Sequence, residues 1–270
     1  MNDQLQLAAD AIQNASALWI GAGAGMGVDS GLPDFRGDEG FWKAYPPFRK
    51  LGLNFYDLAD PRWFDDDPQR AWGFYGHRRN LYRATEPHAG FQTLLKWANR
   101  KASYFVFTSN VDGHFQVAGC DSDRVVECHG AINYSQCTGP CTQDIWESSA
   151  QEILIDEATM RASQPLPTCK SCGQIARPNI LMFGDSHWLS SRSNQQHQRY
   201  QQWLNENRHQ QIVGIEFGAG TAVPTVRWEC QTRCDVFIRV NPREPETSSG
   251  NISLAMGAAE AISAIDQLLE

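Results

Sequence analysis

The chain switches repeatedly between two hydrophobic periods. Short apolar runs occur at Ala17–Ile20, Tyr104–Phe107, Arg124–Glu127, Ile180–Phe183, Ile212–Phe217 and Val236–Val240. Each has the length of a strand covered on both faces. Between them the spacing becomes helical. Leu5, Ala8, Ala9 and Ile12 share one stripe, as do Phe91, Leu94, Leu95 and Trp97. Ala258–Leu269 repeats the pattern through Ile262, Ile265 and Leu269. Residues 190–211 are dominated by Gln, Arg, Ser and Asn, yet Tyr200, Trp203 and Leu204 keep one apolar face, which predicts an exposed helix. Strands alternating with helices predict a parallel α/β sheet flanked by helices.

Two stretches break the alternation. Residues 38–88 are rich in aromatics, Pro, Arg and Asp, and most of them read as packing. From this stretch Arg78, Arg79 and His88 could approach phosphate or substrate. Residues 135–177 carry two close cysteine pairs and an acidic piece near Trp146–Met160 that is expected to be helical. Both stretches read as insertions that build a smaller module. The expected division gives 1–37, 89–134 and 178–270 to the main sheet, and 38–88 and 135–177 to the small module.

Composition narrows the picture. A length of 270 residues with 41% hydrophobic content suits one large domain, or a domain with an insertion. No apolar run approaches the roughly 18–20 residues that cross a bilayer, and the N-terminus is polar and amphipathic. The expectation is a cytoplasmic protein with no membrane partner. A net charge of −8 speaks against general nucleic-acid binding, which needs clustered cations. Eight cysteines in such a compartment call for an explanation other than disulfides. Cys120, Cys128, Cys230 and Cys234 lie near apolar residues and read as small buried hydrophobes. Cys137/Cys141 and Cys169/Cys172 have the spacing C-x3-C, 27 residues, C-x2-C. Four thiolates so spaced can close a tetrahedral zinc site; reduced core cysteines and a redox pair are the alternatives.

The remaining chemistry gathers where strands end. Ala17–Ile20 runs into GAGAGMG, a turn whose lack of side chains lets backbone N–H groups approach a pyrophosphate. The fingerprint G-x-G-x-x-G is met in no register, so the glycines alone equally describe a tight bend. Asp34, Phe35 and Arg36 follow, supplying an acid, an aromatic face and a guanidinium. Thr108–Asp112 follows another strand, which puts Asn110 and Asp112 at a carboxyl end, where ligands gather in open α/β sheets; alone it is also an ordinary Asx-rich turn. His129 follows a third strand and precedes Gly130, and imidazole suits a base near neutrality.

Taken in order, these segments resemble the sirtuins, the NAD-dependent protein deacylases, in a divergent bacterial-type form. The resemblance rests on GAGMGVDSGLPDFR (Gly23–Arg36), TSNVDGHFQVAG (Thr108–Gly119), ECHG (Glu127–Gly130), ARPNILMFGD (Ala176–Asp185), GAGTAVP (Gly218–Pro224) and VNP (Val240–Pro242). It implies a Rossmann-like sheet with an inserted helical and zinc-binding module. It also implies NAD as a consumed co-substrate, contacted by Gly23, Ala24, Gly25, Asp34, Phe35, Arg36, Ser109, Gly218 and Asn241. Structural zinc would sit on Cys137, Cys141, Cys169 and Cys172. By the same resemblance Asn110 orients the nicotinamide-side ribose or a water, and Asp112 holds the carboxamide. His129 takes a ribose hydroxyl proton, and an acylated protein or peptide lies along Asn179–Gly184. Departures are visible too. Ser109 replaces the usual Gln, Ala219 and Gly220 replace two hydroxyls, the first cysteine pair is one residue wider, and Glu216 interrupts an apolar strand. That carboxylate should be paired, protonated or facing the site. ADP-ribosyl transfer, NAD hydrolysis and NAD sensing without catalysis stay open as alternatives.

Overall fold

The computed structural model describes residues 2–33 and 37–269. Its centre is a six-stranded sheet of β1 (Ala17–Ala22), β2 (Ser103–Thr108), β3 (Val125–Glu127), β4 (Ile212–Phe217), β5 (Val236–Val240) and β6 (Ile252–Leu254). All pairings are parallel, in the order β6-β5-β4-β1-β2-β3. Parallel neighbours require crossovers, and the crossovers place helices over both faces. Alternation along β1 shows how. Leu18, Ile20 and Ala22 join the core under the helices Asn2–Asn14, Gly90–Asn99 and Ala258–Leu269. Ala17 and Trp19 face the other way, onto Tyr200 and Trp203 of helix Ser191–Glu206 and Val226 and Cys230 of helix Thr225–Arg233. Gly21 shares that second face by alternation, and only glycine fits there, since a Cβ would collide with the Trp19 ring and lie 2.9 Å from Val226. The Trp19 indole N–H donates to the Tyr200 hydroxyl at 2.9 Å, which satisfies a polar group in the core.

The smaller module combines helices from Gly37–Ala44 to Pro68–Ala84 with a three-stranded antiparallel sheet. Gly130–Cys137 is the middle strand of that sheet, between Trp146–Glu147 and Ala176–Ile180. These strands straddle the divisions expected at 134/135 and 177/178. The module has its own core, built largely from Phe41, Tyr45, Phe48, Phe64, Trp72 and Phe74. Arg79 is fully buried in it. Its guanidinium donates to the carbonyls of Ile132 and Ser148 and lies 4.9 Å from the Trp72 ring. That arrangement ties the long helix to the small sheet.

The sequence expectations hold for the main sheet and its helices, with Ser191–Glu206 helical and resting on Tyr200 and Trp203. Two differ. The strand expected at Ile180–Phe183 lies at Ala176–Ile180 instead, and the chain leaves the ladder at Leu181. Its polar members disguised it: Arg177 and Asn179 are buried there, Arg177 paired with Asp185 and Asn179 with Gln136 and the Leu189 carbonyl. The piece at Trp146–Met160 is not a helix. Trp146–Glu147 pairs with Tyr134 and Ser135, and Ile155–Asp156 forms a hairpin with Arg161–Ala162. Pairing along a sheet edge overrides the local acidic pattern. Cys120 and Cys230 are buried, whereas Cys128 and Cys234 are half-buried against the core. Trp228 is 65% exposed. Among the described residues no helix is long and apolar enough to cross a membrane.

Candidate active site

The strand order reverses between β1 and β4, so the loops leaving these two neighbours diverge and open a crevice at the carboxyl ends. A cavity of about 630 Å³ lies there, between the main sheet and the small module. Gly23, Ala24 and Gly218 line it from the first two loops, and Ser109, Asn110 and Asp112 from the loop after β2. His129 lines it from just beyond β3.

The glycines act first on each other. A Cβ on Gly23 would sit 2.7 Å from the Ala219 Cα, and one on Gly218 would collide with the Gly25 Cα. The Gly23 N–H donates to the Phe217 carbonyl and the Gly25 N–H to the Gly218 carbonyl. Two backbones thus pass in direct contact, with Gly218 at φ +57°. Gly25 and Asn241 stand behind the cavity wall. Asn241 is buried, donates to the Ala219 carbonyl at 3.0 Å, and accepts the N–H groups of Arg243 and Glu244. Glu216, the charged member of β4, is paired with buried Arg239. Asp34, Phe35 and Arg36 lie outside the described residues.

The loop after β2 is stitched to the first loop. The Thr108 hydroxyl donates to the Ala22 carbonyl and accepts the Asn110 N–H. The Asn110 amide donates to the Gly23 carbonyl at 3.0 Å. The Asp112 carboxylate accepts the His114 N–H at 2.9 Å, which fixes the side chain and leaves its second oxygen for the cavity. His129 is anchored through Glu127. Gln196 and Arg192, on helix Ser191–Glu206, both donate to the Glu127 carboxylate, and the Ser193 hydroxyl donates to the Glu127 carbonyl. Burial pushes the His129 imidazole below its ordinary pKa, partly opposed by a hydrogen bond to the Ser109 backbone. Near neutral pH it is therefore an uncharged base.

The far wall comes from the small module. On helix Pro68–Ala84, Tyr75, Arg78 and Tyr82 fall three and four residues apart, hence on one face, and all line the cavity with Phe55 and Ala59. Arg78 is only 6% exposed and donates to the Tyr82 hydroxyl at 2.9 and 3.1 Å. Its guanidinium lies 5.7 Å from the Tyr75 ring. Sequence reasoning flagged Arg78 only in passing and missed the two tyrosines, although the Tyr-x-x-Arg spacing was there to be read. Of the other two flagged residues, Arg79 is structural, and the His88 ring meets the Met26 carbonyl at 3.2 Å behind the glycine turn. Ile180, Leu181, Met182 and Phe183 close the remaining side.

All four paired cysteines come together, with their sulphurs within 4.8 Å of one another. Cys137 and Cys172 are 3.6 Å apart, and Cys141 and Cys169 are 3.7 Å apart. Tetrahedral thiolates about 2.3 Å from zinc would have sulphurs about 3.8 Å apart. The donor set therefore fits a closed, structural zinc site, and the wider C-x3-C spacing does not keep Cys137 or Cys141 out of it.

Comparison with known proteins agrees with this geometry. Residues 23–206 match the model of the Sir2 family. A protein of Leptospira interrogans named NAD-dependent protein deacylase is 33% identical over 179 residues, 66% of this chain; the match spans 63% of that relative's length. A mutant Sir2 homologue in complex with ADP-ribose superposes with a TM-score of 0.73 at 23% identity, over 97% of this chain and 95% of its own. A Sir2 homologue–NAD complex gives 0.72 at 22% identity, over 97% and 93%. At such identity the two structures speak for the fold. The family model covers more than half of the sequence and includes the glycine turn, the Asn110 loop, His129 and all four clustered cysteines: the chain belongs to the Sir2 family.

Proposed function

We propose that this chain is an NAD-dependent protein-lysine deacylase that releases nicotinamide, free lysine and O-acyl-ADP-ribose. The observation that carries the reading is the convergence of His129, Asn110 and Asp112 on one cavity whose opposite wall is apolar. The polar side suits NAD, bound as a substrate across the loops after β1 and β4, with Asn110 and Asp112 at the nicotinamide-ribose end. The apolar side suits an acyl-lysine chain. In this reading the acyl oxygen attacks the anomeric carbon as nicotinamide leaves. Neutral His129 then accepts a ribose hydroxyl proton, so that the sugar oxygen attacks the acyl carbon; water adds to that carbon, lysine leaves as the amine, and the former acyl oxygen stays on the anomeric carbon as its hydroxyl. The members of the family compared above, one of them named a deacylase, support the assignment.

Arg78 bears on which acyl group is taken. A nearly buried guanidinium on an apolar wall, flanked by Tyr75 and Tyr82, offers a charge-assisted hydrogen bond to an acyl chain that ends in a carboxylate. A short neutral acyl group gains nothing from it.

Incubation with NAD and matched acetyl- and succinyl-lysine peptides tests both statements. Peptide-dependent nicotinamide release, abolished in His129→Ala, is the expected result. The succinyl peptide should be preferred, and Arg78→Met should lower its kcat/KM at least about tenfold while sparing the acetyl peptide. Release without peptide would instead mark an NAD glycohydrolase, and ADP-ribose on the protein a transferase.

A further inference from the structure

The wall formed by Leu181–Phe183 is held from inside the small module by an ion pair whose side chains are both 0% exposed. The Arg177 guanidinium meets both oxygens of Asp185, at 2.9 and 2.7 Å. Strand Ala176–Ile180 ends one residue before the wall begins, and the chain doubles back through Gly184, at φ +66°, to bring Asp185 under it. The same carboxylate accepts the N–H groups of Met182 at 3.3 Å and His187 at 3.2 Å. On either side of Met182, the Leu181 N–H donates to the His129 carbonyl at 3.0 Å and the Phe183 N–H to the Ala59 carbonyl at 2.9 Å. All three amides of the turn are therefore paired within the protein. Among the described residues the carbonyls of Leu181, Met182 and Phe183 accept no hydrogen bond. Leu181, Met182 and Phe183 line the cavity, so acceptors unused among the described residues lie at its wall. Phe183 adds an exposed ring, 4.7 Å from that of Tyr56.

A buried ion pair is a poor device for stability, since desolvation offsets most of its attraction and apolar residues of equal size pack as well. The Arg177 Nε is moreover buried without a partner among the described residues. What this contact supplies is direction: one guanidinium nitrogen meets both carboxylate oxygens, and another reaches the Met182 sulphur at 3.7 Å. We propose that Arg177 and Asp185 are positioning residues, fixing the turn Leu181–Gly184 so that its carbonyls receive backbone N–H groups of an extended acyl-peptide. This rests on the deacylase reading for the identity of the peptide. It adds that peptide affinity, and not NAD affinity or the chemical step, is set by a buried pair that touches neither substrate.

The test is the double variant Arg177→Met/Asp185→Leu, which removes both charges together and avoids stranding one of them. It should fold, bind NAD as the parent does and keep its kcat, while the acyl-peptide KM rises roughly tenfold or more. Hydrogen exchange at the Leu181 and Phe183 amides should quicken in step. A folded double variant with the parental peptide KM and parental amide protection would overturn the proposal. Protection of those two amides in the unaltered protein gives a readout that needs neither turnover nor the variant. If they exchange as freely as exposed loops, the clamp does not exist. Absence of peptide-dependent nicotinamide release from the unaltered protein would sink the deacylase reading alone, and the difference in amide exchange between parent and double variant would still decide the clamp.

Discussion

His129 shows what the sequence can and cannot supply at the scale of one residue. Its position after a strand and before Gly130 was enough to single it out, and the structure places it on the cavity with Ser109, Asn110 and Asp112. Its tuning was not legible, because that comes from burial and from the Ser109 backbone. A testable pH dependence follows. A base works unprotonated, and a pKa held below the ordinary 6.5 means that protons bind less readily. The acid limb of kcat/KM for the acyl peptide should be centred below pH 6.5. An acid limb centred above pH 6.5, or one unchanged in a variant lacking His129, would contradict the assignment.

Elements are where most of the sequence reading held and where two parts of it failed. Strands that are apolar on both faces were legible from their runs, because β1, β2, β4 and β5 are buried by helices on either side. Ala176–Ile180 was not, because Arg177 and Asn179 are buried with partners supplied from elsewhere in the chain. The glycine turn illustrates a subtler gap. Its glycines read as room for a pyrophosphate; the structure adds that Gly23 makes room for Gly218 and Ala219 of the neighbouring loop, and Gly218 for Gly25. The contact is itself testable. In Gly218→Ala the new Cβ would overlap the Gly25 backbone at a φ that L residues avoid, so a loss of about 1–3 kcal/mol is expected. Since both loops line the cavity, NAD affinity measured by calorimetry should fall as well. Gly220 has open space around it, and Gly220→Ala should leave the melting temperature nearly unchanged. Equal effects of the two substitutions would argue that loop contact is not what these glycines serve.

At the scale of the whole molecule, the cavity lies between the carboxyl-end loops of the main sheet and the small module, and the cysteine site sits on the small module's side alone. Cys137 ends the middle strand of the small sheet and is in register with Ala176, which begins the strand leading to Ile180 and the Leu181–Phe183 wall. Cys169 and Cys172 hold the turn just before that strand. A closed metal site there would pin the small sheet from the end farthest from the cavity, while the parallel sheet has its own core. Metal removal should therefore divide the molecule functionally before it unfolds it. The protein is expected to carry about one zinc per chain, released by a strong chelator. On release, peptide-dependent nicotinamide production should be lost. Amides of β1 and β4 should keep their hydrogen-exchange protection while those of Gly130–Cys137 and Ala176–Ile180 lose theirs. Cys169→Ser should reproduce the pattern without chelator. Because the site offers four protein ligands and no open position, the lost activity reflects the wall and not a missing catalyst, so zinc restored to the chelated protein should recover protection and turnover together. A native preparation free of zinc, or full turnover after complete chelation, would show that the four cysteines hold the small sheet by packing alone.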